Sequence, residues 1–360
     1  MDFIWDTDTM IDEPVLFKRD NSDKLTGRLL FPPLKIDSVR NDIRSTVYQE
    51  RRDFTANTEN GVITLTDNSR IPFLSDEELY PHKDTPNAYP EKKNSDRYML
   101  HSEKELFPSY QICFSYRHRK ENFMTDGECP HFELPVLMEN LISGKSFSMT
   151  VFGDSISTGL NATKLAGLAP FNPPYFEIVA AEIKKIFSCD VMLKNESVAG
   201  KTSEWGLANI ENAARHKSEL VILAWGMNDA SGKRSQKEFK KNISNQMKQV
   251  RSVKPEAEFL LISGMTANPE WSRFSPGYHI EYLKALCELA REEKGTAVVN
   301  ITDIWFYMTE KKSYLDLSGN GLNHPNDFGH KIYAQLILKT ILDISEKKYL
   351  SRRSFIFTSL

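Results

Sequence analysis

The sequence has few cysteines, no long apolar run and no excess of basic residues. Its four cysteines form no Cys-x-x-Cys pair and no Cys/His cluster with zinc spacing, so we expect no metal site. Reduced thiols are the expected state of the cysteines, with a Cys113–Cys129 disulfide as the alternative. Nowhere does an apolar stretch reach the roughly 18 residues of a membrane-spanning helix, so no membrane partner is expected.

The charge balance argues against nucleic acid as a partner. The 360 residues include 46 Lys and Arg against 49 Asp and Glu, a net charge of −3, which leaves no basic excess to hold a phosphate backbone. The N-terminal sequence MDFIWDTDTM is acidic where a signal peptide would be basic, and no apolar segment follows it. We therefore expect a cytoplasmic protein that binds no nucleic acid. A homo-oligomer is compatible with the sequence.

The chain divides into two parts that differ in composition, and its length favours two domains. Residues 1–133 are rich in Asp, Asn, Pro and aromatic residues, and their short apolar stretches predict a small β-sandwich. Residues 134–345 are assigned to a second domain, which opens with a short helix at 134–141, and residues 346–360 to a C-terminal tail. In the first part, strands are predicted at 46–48, 61–66 and 110–116, and a long surface loop at 75–96.

The second part alternates apolar, strand-like runs with helical patterns. Five strands that alternate with helices predict an α/β domain whose parallel sheet is covered on both faces. The functional site of such a sheet is expected at the carboxyl ends of the strands. The predicted strands are Phe147–Phe152, Val191–Leu193, Leu220–Trp225, Phe259–Ser263 and Ala297–Ile301, and helices are predicted near 175–187, 204–216, 236–252, 278–293 and 327–345.

Residues of the kinds that take part in catalysis follow the first three predicted strands. Ser155, in Gly153-Asp154-Ser155, comes directly after the first strand and can present its hydroxyl to a cleft. Gly200 follows the second strand, and a glycine there lets its backbone N–H approach a substrate closely. Asn228 and Asp229 follow the third strand. The Asn228 amide can stabilise an oxyanion, although both residues can also simply cap the next helix.

Two histidines lie at the start of the last predicted helix. His324, in His324-Pro325-Asn326, stands in the loop before this helix, which suits a general base that must reach a nucleophile. His330 is predicted to lie on the helix and to be structural. The six other histidines are predicted to be surface residues.

In their order along the chain, these motifs resemble the SGNH, or GDSL-like, hydrolase superfamily over roughly residues 146–345. The resemblance implies a flavodoxin-like three-layer α/β/α domain, in agreement with the alternation of strands and helices. It implies that Ser155 is the nucleophile, that His324 is its general base, and that Asn228 and the N–H groups of Ser155 and Gly200 form the oxyanion hole. The implied reaction is hydrolysis of a carboxylic ester through an acyl-enzyme, with no metal or organic cofactor.

One position departs from the family pattern. The family usually has an Asp three residues before the His, where it orients the imidazole, but this chain has Gly321 there. Three groups are alternatives to this Asp as the partner of His324. The first is a backbone carbonyl, which would leave a Ser–His dyad. The others are the side chain of Asn320 and the carboxylate of Asp316, if its segment folds back. A neutral partner stabilises the imidazolium less than a carboxylate does, so the first two predict a slower but functional enzyme.

Aromatic residues near the strand ends favour a substrate that contains sugar rings. A β-rich region before such a domain also resembles several bacterial carbohydrate O-acetylesterases, so we expect removal of O-acetyl groups from sugars or oligosaccharides. One alternative is a short-chain acyl esterase or thioesterase acting on lipid-like substrates. Another is a carbohydrate-binding protein with an inactive hydrolase domain. Asp154, Trp205 and Trp271 are predicted to bind substrate, and Trp225, Met265 and Phe274 are further candidates, of which Trp225 and Met265 can equally be core.

Overall fold

The computed structural model describes residues 3–4, 6–19, 23–41, 45–120 and 133–357, with side chains up to residue 344. The N-terminal region consists of short strands, as predicted. It contains strands β1 (Thr9–Leu16), β2 (Lys18–Arg19), β3 (Leu25–Arg28), β4 (Pro33–Asn41), β5 (Phe54–Ala56), β6 (Val62–Leu65), β7 (Ala88–Glu91), β8 (Tyr98–Leu100) and β9 (Gln111–His118), and helices α1 (Asp76–Leu79) and α2 (Leu106–Tyr110).

Two antiparallel sheets pack face to face in this region and confirm the predicted sandwich. Their strand orders are β1-β9-β4 and β2-β3-β6-β5. The Phe54 ring meets the Phe114 ring edge-on, with 5.5 Å between the centroids, and joins the two sheets. Strands β7 and β8 form a separate hairpin. Residues 75–96 therefore include α1 and β7 and are not one continuous loop, and the predicted strand at 46–48 is only an isolated bridge between Arg40 and Val47.

The second part has the predicted alternation of strands and helices. Its strands are β10 (Phe147–Gly153), β11 (Val191–Asn195), β12 (Leu220–Ala224), β13 (Glu258–Ile262) and β14 (Thr296–Val299). Its helices are α3 (Pro135–Ser143), α4 (Ser155–Thr158), α5 (Thr163–Ala166), α6 (Tyr175–Phe187), α7 (Ser203–Ala208), α8 (Glu211–Ala214), α9 (Met227–Ser231), α10 (Gln236–Val253), α11 (Pro276–Glu292), α12 (Ile301–Lys311) and α13 (Asp327–Phe357), with a 3₁₀ turn at Tyr314–Asp316.

The five strands form one parallel sheet, as the sequence predicts, and their order is β11-β10-β12-β13-β14. Helices α6 and α13 pack together on one face, and α7, α10 and α11 pack on the other, so the domain has three layers. Helix α12 was not predicted, and it begins where the Asn300 side chain accepts the N–H of Asp303, so the predicted strand ends before Ile301. Helix α13 is longer than predicted. No helix in the described ranges is both long and apolar enough to cross a membrane.

Buried polar contacts fix the N-terminal sandwich to the domain that contains the parallel sheet. The Lys312 ammonium contacts the Glu13 carboxylate and donates to the Pro14 carbonyl, with 2.8 Å between nitrogen and oxygen. Asp316 accepts a hydrogen bond from the Leu16 N–H at 2.7 Å. The side chains of Lys312 and Glu13 are fully buried. This set of contacts, which we call the buried ion cluster, joins β1 to the segment that leads into the His324 loop.

The cysteines differ from the expectation in one case. Cys113 and Cys189 are buried thiols and not disulfides, so the alternative Cys113–Cys129 pairing is wrong. Cys287 is disulfide-bonded, so the expectation of reduced thiols is wrong at that position. Cys129 lies outside the described residues.

Candidate active site

The candidate site lies at the carboxyl edge of the parallel sheet, where it was predicted. Strand β10 ends at Gly153, and Ser155 is the first residue of helix α4. A Cβ atom at Gly153 would lie 2.3 Å from the Ala224 carbonyl oxygen, so only glycine lets β10 pass this close to β12. The Asp154 carboxylate caps α4 by accepting the N–H of Ile156 at 3.1 Å. These constraints place the Ser155 hydroxyl at the sheet edge.

His324 meets Ser155 at this edge. The His324 Nε2 atom lies 2.9 Å from the Ser155 Oγ atom, and both residues are about 95% buried. The contact bridges two elements that are far apart in sequence, the turn after β10 and the loop before α13. The structure therefore brings together the two residues predicted to be nucleophile and base.

Asn320 shapes the His324 loop but does not contact the imidazole. Its Oδ1 atom accepts the backbone N–H groups of Leu322, Asn323 and His324 at 2.9, 3.0 and 3.2 Å. Because this oxygen is committed to the backbone, the prediction that Asn320 accepts the Nδ1–H of His324 is wrong. Asp316 is also excluded as the orienting acid, since its carboxylate is buried against Leu16 in the buried ion cluster.

Two side-chain oxygens face His324 Nδ1. Glu103 Oε2 lies 3.0 Å away and Asn161 Oδ1 lies 2.9 Å away. The Asn161 Nδ2 group donates to the Gly319 carbonyl at 3.2 Å, which turns the amide oxygen toward the imidazole. Both partners are acceptors, so Nδ1 carries the proton and Nε2 keeps a lone pair for the Ser155 O–H. The backbone-carbonyl alternative is therefore wrong as well.

Sequence reasoning missed both of these oxygens. Glu103 belongs to the polar run Ser102-Glu103-Lys104-Glu105 of the N-terminal region, where nothing local distinguishes one Glu from the other. Its second oxygen, Oε1, receives the Asn320 Nδ2–H at 3.0 Å and lies 3.1 Å from His101 Nε2. His101, predicted to be a surface residue, is half-buried. Asn161 follows Ser155 by six residues, a spacing with no recognisable motif.

The oxyanion-hole candidates lie on neighbouring loops. Gly200 is exposed with φ +75°, and nothing lies within 4 Å of where a Cβ would be. Within the described residues, the backbone N–H groups of Ser155 and Gly200 have no hydrogen-bond partner. The Asn228 side chain donates one N–H to the Lys201 carbonyl at 2.9 Å, which ties its loop to Gly200 and leaves its second amide hydrogen unpaired. The site thus offers three N–H donors.

Asp229 does not cap the helix that follows β12, so the capping alternative for this segment is wrong, and its carboxylate contacts α7 instead. Its carboxylate accepts the N–H and the hydroxyl of Ser203, at 2.9 and 2.6 Å, and pairs with Arg234 at 2.9 Å. Ser203 is the first residue of α7. Asp229 therefore fixes the start of α7 beside the Gly200 loop.

Asp154 caps the helix that carries Ser155, and its predicted contact with substrate stays a prediction. The residue is only 3% exposed, because its carboxylate is turned into the protein to cap α4. Burial, together with the nearby Asp229 carboxylate, raises the pKa of Asp154 to about 7, against hydrogen bonds from the backbone N–H groups of Ile156 and Met227 that lower it. Its role is to hold the turn that carries Ser155.

This raised pKa predicts a pH-dependent contribution to stability. The folded-state pKa of Asp154 lies above the ordinary value of 3.8, so the contribution is fully present below about pH 4 and is lost as the pH rises to about 7. We expect Asp154→Asn, which keeps an oxygen to cap α4, to show a smaller decline in unfolding free energy over this range. Urea unfolding at several pH values measures this decline in the free energy of unfolding. The exposed Asp96→Asn is the matched control, and an unchanged decline in Asp154→Asn would contradict the assignment.

The aromatic predictions have mixed outcomes. Trp271 is only 8% exposed and belongs to the core, and its contact with substrate stays a prediction. The β7–β8 hairpin covers it, since the Lys93 N–H donates to the Glu270 carbonyl at 2.7 Å. Trp205 is half-buried, with the Lys201 ammonium 5.5 Å from the centre of its ring, and its role stays a prediction. Trp225 and Met265 are core residues, Phe274 is half-buried against the core, and His330 is buried on α13 as predicted.

The fold and the site together define a carboxylic ester hydrolase. Residues 151–332, slightly more than half of the chain, match the model of the GDSL-like Lipase/Acylhydrolase family. The chain belongs to this family, which confirms the resemblance seen in the sequence. No curated protein sequence matches the chain.

Solved structures similar to this chain include two esterases and TesA. A two-domain esterase (CEX) active on acetylated mannans is 20% identical, with a TM-score of 0.48, over 59% of this chain and 54% of that one. The chain thus spans about half the length of that esterase. Axe2, an acetylxylan esterase from Geobacillus stearothermophilus, is 17% identical with a TM-score of 0.45, over 55% of this chain and 95% of that one. TesA is 22% identical with a TM-score of 0.43, over 55% of this chain and 99% of that one.

Proposed function

We propose that this protein removes O-acetyl groups from sugars or oligosaccharides through an acyl-enzyme on Ser155. The observation that carries the proposal is the 2.9 Å contact between Ser155 Oγ and His324 Nε2, beside three unpaired N–H groups. A nucleophile within hydrogen-bond reach of a base, with donors for the oxyanion, is what acyl transfer requires. This geometry argues against the alternative of an inactive hydrolase domain.

The reaction follows from these parts. His324 Nε2 takes the Ser155 proton as Ser155 Oγ attacks the ester carbonyl, and the oxyanion forms opposite the N–H groups of Ser155, Gly200 and Asn228. His324 then protonates the leaving sugar hydroxyl, which leaves an acetyl-serine. Water, deprotonated by His324, attacks this second ester, acetate leaves, and Ser155 regains its proton.

The surroundings of His324 support a sugar as the alcohol part of the ester. Beyond the imidazole lie the partly exposed polar side chains of Glu103 and His101, and Tyr89, which is 65% exposed with its ring 6.0 Å from the His101 ring. An exposed aromatic face beside polar side chains suits a ring that is apolar on its faces and bears hydroxyls at its edge.

A second observation favours a lipid-like acyl group as the alternative. Leu165 and Phe171, in the segment that follows α4, are 51% and 58% exposed. Leu165 packs against Gly159, four residues after the nucleophile, since a Cβ there would lie 2.6 Å from a Leu165 methyl. Exposed apolar side chains this close to Ser155 offer a surface for a longer acyl chain.

Substrate screening distinguishes these two functions. Acetate release is measured from acetylated xylo- and manno-oligosaccharides, beside nitrophenyl esters of two to twelve carbons. We expect acetyl esters to have the highest kcat/KM and acetylated oligosaccharides to exceed nitrophenyl acetate. Faster hydrolysis of esters with eight or more carbons would establish the lipid-like alternative.

Asn228→Ala tests the oxyanion hole. The change removes one donor to the developing oxyanion, and we expect a loss of about 3 kcal/mol of transition-state stabilisation, seen in kcat. KM should change little, because the interaction is strongest in the transition state. Steady-state kinetics with nitrophenyl acetate measure both. Asn209→Ala, which removes an amide from the end of α7, is the control, and a wild-type kcat in Asn228→Ala would show that Asn228 only ties two loops together.

A further inference from the structure

We propose that Glu103 replaces the missing family Asp, so that the N-terminal region supplies the carboxylate that positions His324 and completes the active site. The proposal rests on the proposed esterase function. In this arrangement Glu103, His324 and Ser155 form a triad in which the carboxylate precedes the nucleophile in the chain and comes from a different domain. Glu103 is a positioning residue, because it acts on the ester only through His324.

The contacts of Glu103 use both of its oxygens. Oε2 accepts from His324 Nδ1 at 3.0 Å, and Oε1 accepts from Asn320 Nδ2 at 3.0 Å, with His101 Nε2 at 3.1 Å. Desolvation raises the pKa of Glu103, but the hydrogen bonds from His101, His324 and Asn320 and the charge of His324 outweigh it, so the pKa lies well below its ordinary value. The side chain is therefore an anion when it faces the imidazole.

The backbone on both sides of Glu103 is fixed to the catalytic domain. The Ser102 N–H donates to the Asn320 carbonyl at 3.3 Å. Phe107, in the first turn of α2, is fully buried. Glu103 lies between these two anchors, in the short connection from β8 to α2. Its position is set by docking of the N-terminal region onto the His324 loop.

Gly321 shows why the carboxylate cannot come from the family position. A Cβ atom at Gly321 would lie 2.2 Å from the Phe107 ring and 2.8 Å from the Leu100 carbonyl oxygen. Its φ of +80° also disfavours any other residue. The N-terminal region thus occupies the space that a side chain at position 321 would need, and the same region brings in Glu103.

Asn161 shares the Nδ1 hydrogen with Glu103, but the two acceptors are not equivalent. The Asn161 oxygen is neutral, so it fixes the tautomer and the ring orientation without opposing the charge that His324 gains when it takes the Ser155 proton. The Glu103 carboxylate orients the ring and also attracts the positive charge of the imidazolium. Near a buried imidazolium, this attraction contributes more than the orientation. We therefore assign the stabilisation of the imidazolium to Glu103.

The test compares four variants of the full chain with nitrophenyl acetate. Glu103→Gln should lower kcat by about 10²-fold, with KM within about twofold of the wild-type value, because the lost interaction matters in the transition state. Glu103→Asp should retain more activity than Glu103→Gln, and Asn161→Ala should lose less than Glu103→Gln. The matched control is Glu105→Gln, an exposed Glu two residues away, which should keep the wild-type rate.

Chemical rescue separates a charge effect from a structural one. Glu103 is 39% exposed, so in Glu103→Ala a small carboxylate can enter the vacated space. Added formate should raise the kcat of Glu103→Ala severalfold and leave Glu105→Gln unchanged. Equal thermal denaturation midpoints show that the variants are folded. A Glu103→Gln variant with wild-type kcat, or a Glu103→Ala variant that formate does not rescue, would overturn the proposal.

A readout that needs no substrate distinguishes failure of this proposal from failure of the proposed function. The Nδ1 proton of His324, shared with a carboxylate, should give a far-downfield proton NMR resonance in the wild type and in Glu105→Gln that moves or vanishes in Glu103→Gln. If no ester is hydrolysed but this pattern is seen, the esterase function fails and the Glu103 contact stands. If esters are hydrolysed and the resonance is the same in Glu103→Gln, the Glu103 assignment fails alone.

Discussion

Ser155→Ala is expected to abolish ester hydrolysis and to leave the fold unchanged. The side-chain hydroxyl of Ser155 has one hydrogen-bond partner in the described structure, His324 Nε2, and no role in capping α4, which belongs to Asp154. Removal of a serine nucleophile lowers kcat by about 10⁴-fold or more in enzymes of this kind. Hydrolysis of nitrophenyl acetate measures the loss, and circular dichroism and thermal denaturation show whether the variant is folded.

Ser197→Ala is the matched control for this experiment. Its hydroxyl is buried on the Gly200 loop without a hydrogen-bond partner in the described structure, so its removal should leave kcat unchanged. A serine-reactive phosphonate should modify Ser155 in the wild type and in Ser197→Ala, and no serine in Ser155→Ala. Modification of another serine, or hydrolysis that survives in Ser155→Ala, would remove Ser155 from the mechanism.

Lys312→Ala is expected to be the most destabilising single change at the domain interface. Lys312 and Glu13 have fully buried side chains, and Asp316 is 1% exposed and 3.8 Å from the ammonium. Without the ammonium, two buried carboxylates lose the cation that offsets their charge. Removing one partner of a buried pair costs about 3–5 kcal/mol of unfolding free energy, which denaturant titration measures.

Two further variants test whether the loss of the Lys312 charge is what destabilises Lys312→Ala. Lys35→Ala breaks an exposed pair with Asp37 and should leave the free energy of unfolding unchanged. Glu13→Gln combined with Lys312→Met removes both charges of the buried pair and should be more stable than Lys312→Ala. If Lys312→Ala proves as stable as Lys35→Ala, the buried ion cluster does not hold the two domains together.

Local patterns were sufficient to predict the five strands and most of the long helices of the catalytic domain, but not α12. The helix predicted at 175–187 is observed at Tyr175–Phe187, because its apolar residues repeat at helical spacing and Pro174 precedes it. The five strands follow from apolar runs, since strands of a covered parallel sheet are buried on both faces. Ser155 and His324 could be predicted because the order of their motifs along the chain resembles the GDSL-like family, and because one follows a predicted strand and the other precedes a predicted helix. Their juxtaposition then follows from the rule that sites lie at the carboxyl ends of strands.

The partners of His324 could not be predicted, because they depend on how two domains dock. In the sequence, the side chains nearest to His324 that could orient its imidazole are Asn320 and Asp316, both in the segment before α13. Glu103 reaches the imidazole only because β1, β9 and α2 pack on that loop, and no periodicity in the sequence encodes this contact. The burial of Trp271 could not be predicted for the same reason, since the hairpin that covers it belongs to the N-terminal region. The errors therefore concern contacts between the two parts of the chain.

The wide sequence separation of the residues around His324 has a consequence for refolding. The Ser155–His324 contact joins positions 169 residues apart, and the Glu103–His324 contact joins positions 221 residues apart. Such distant pairings form after local helices and strands, since closing a long loop costs entropy before any contact repays it. After dilution from denaturant, helical circular dichroism should thus return before hydrolysis does. The recovery of activity then reports the formation of these distant contacts, which spectroscopic signals from the helices do not report.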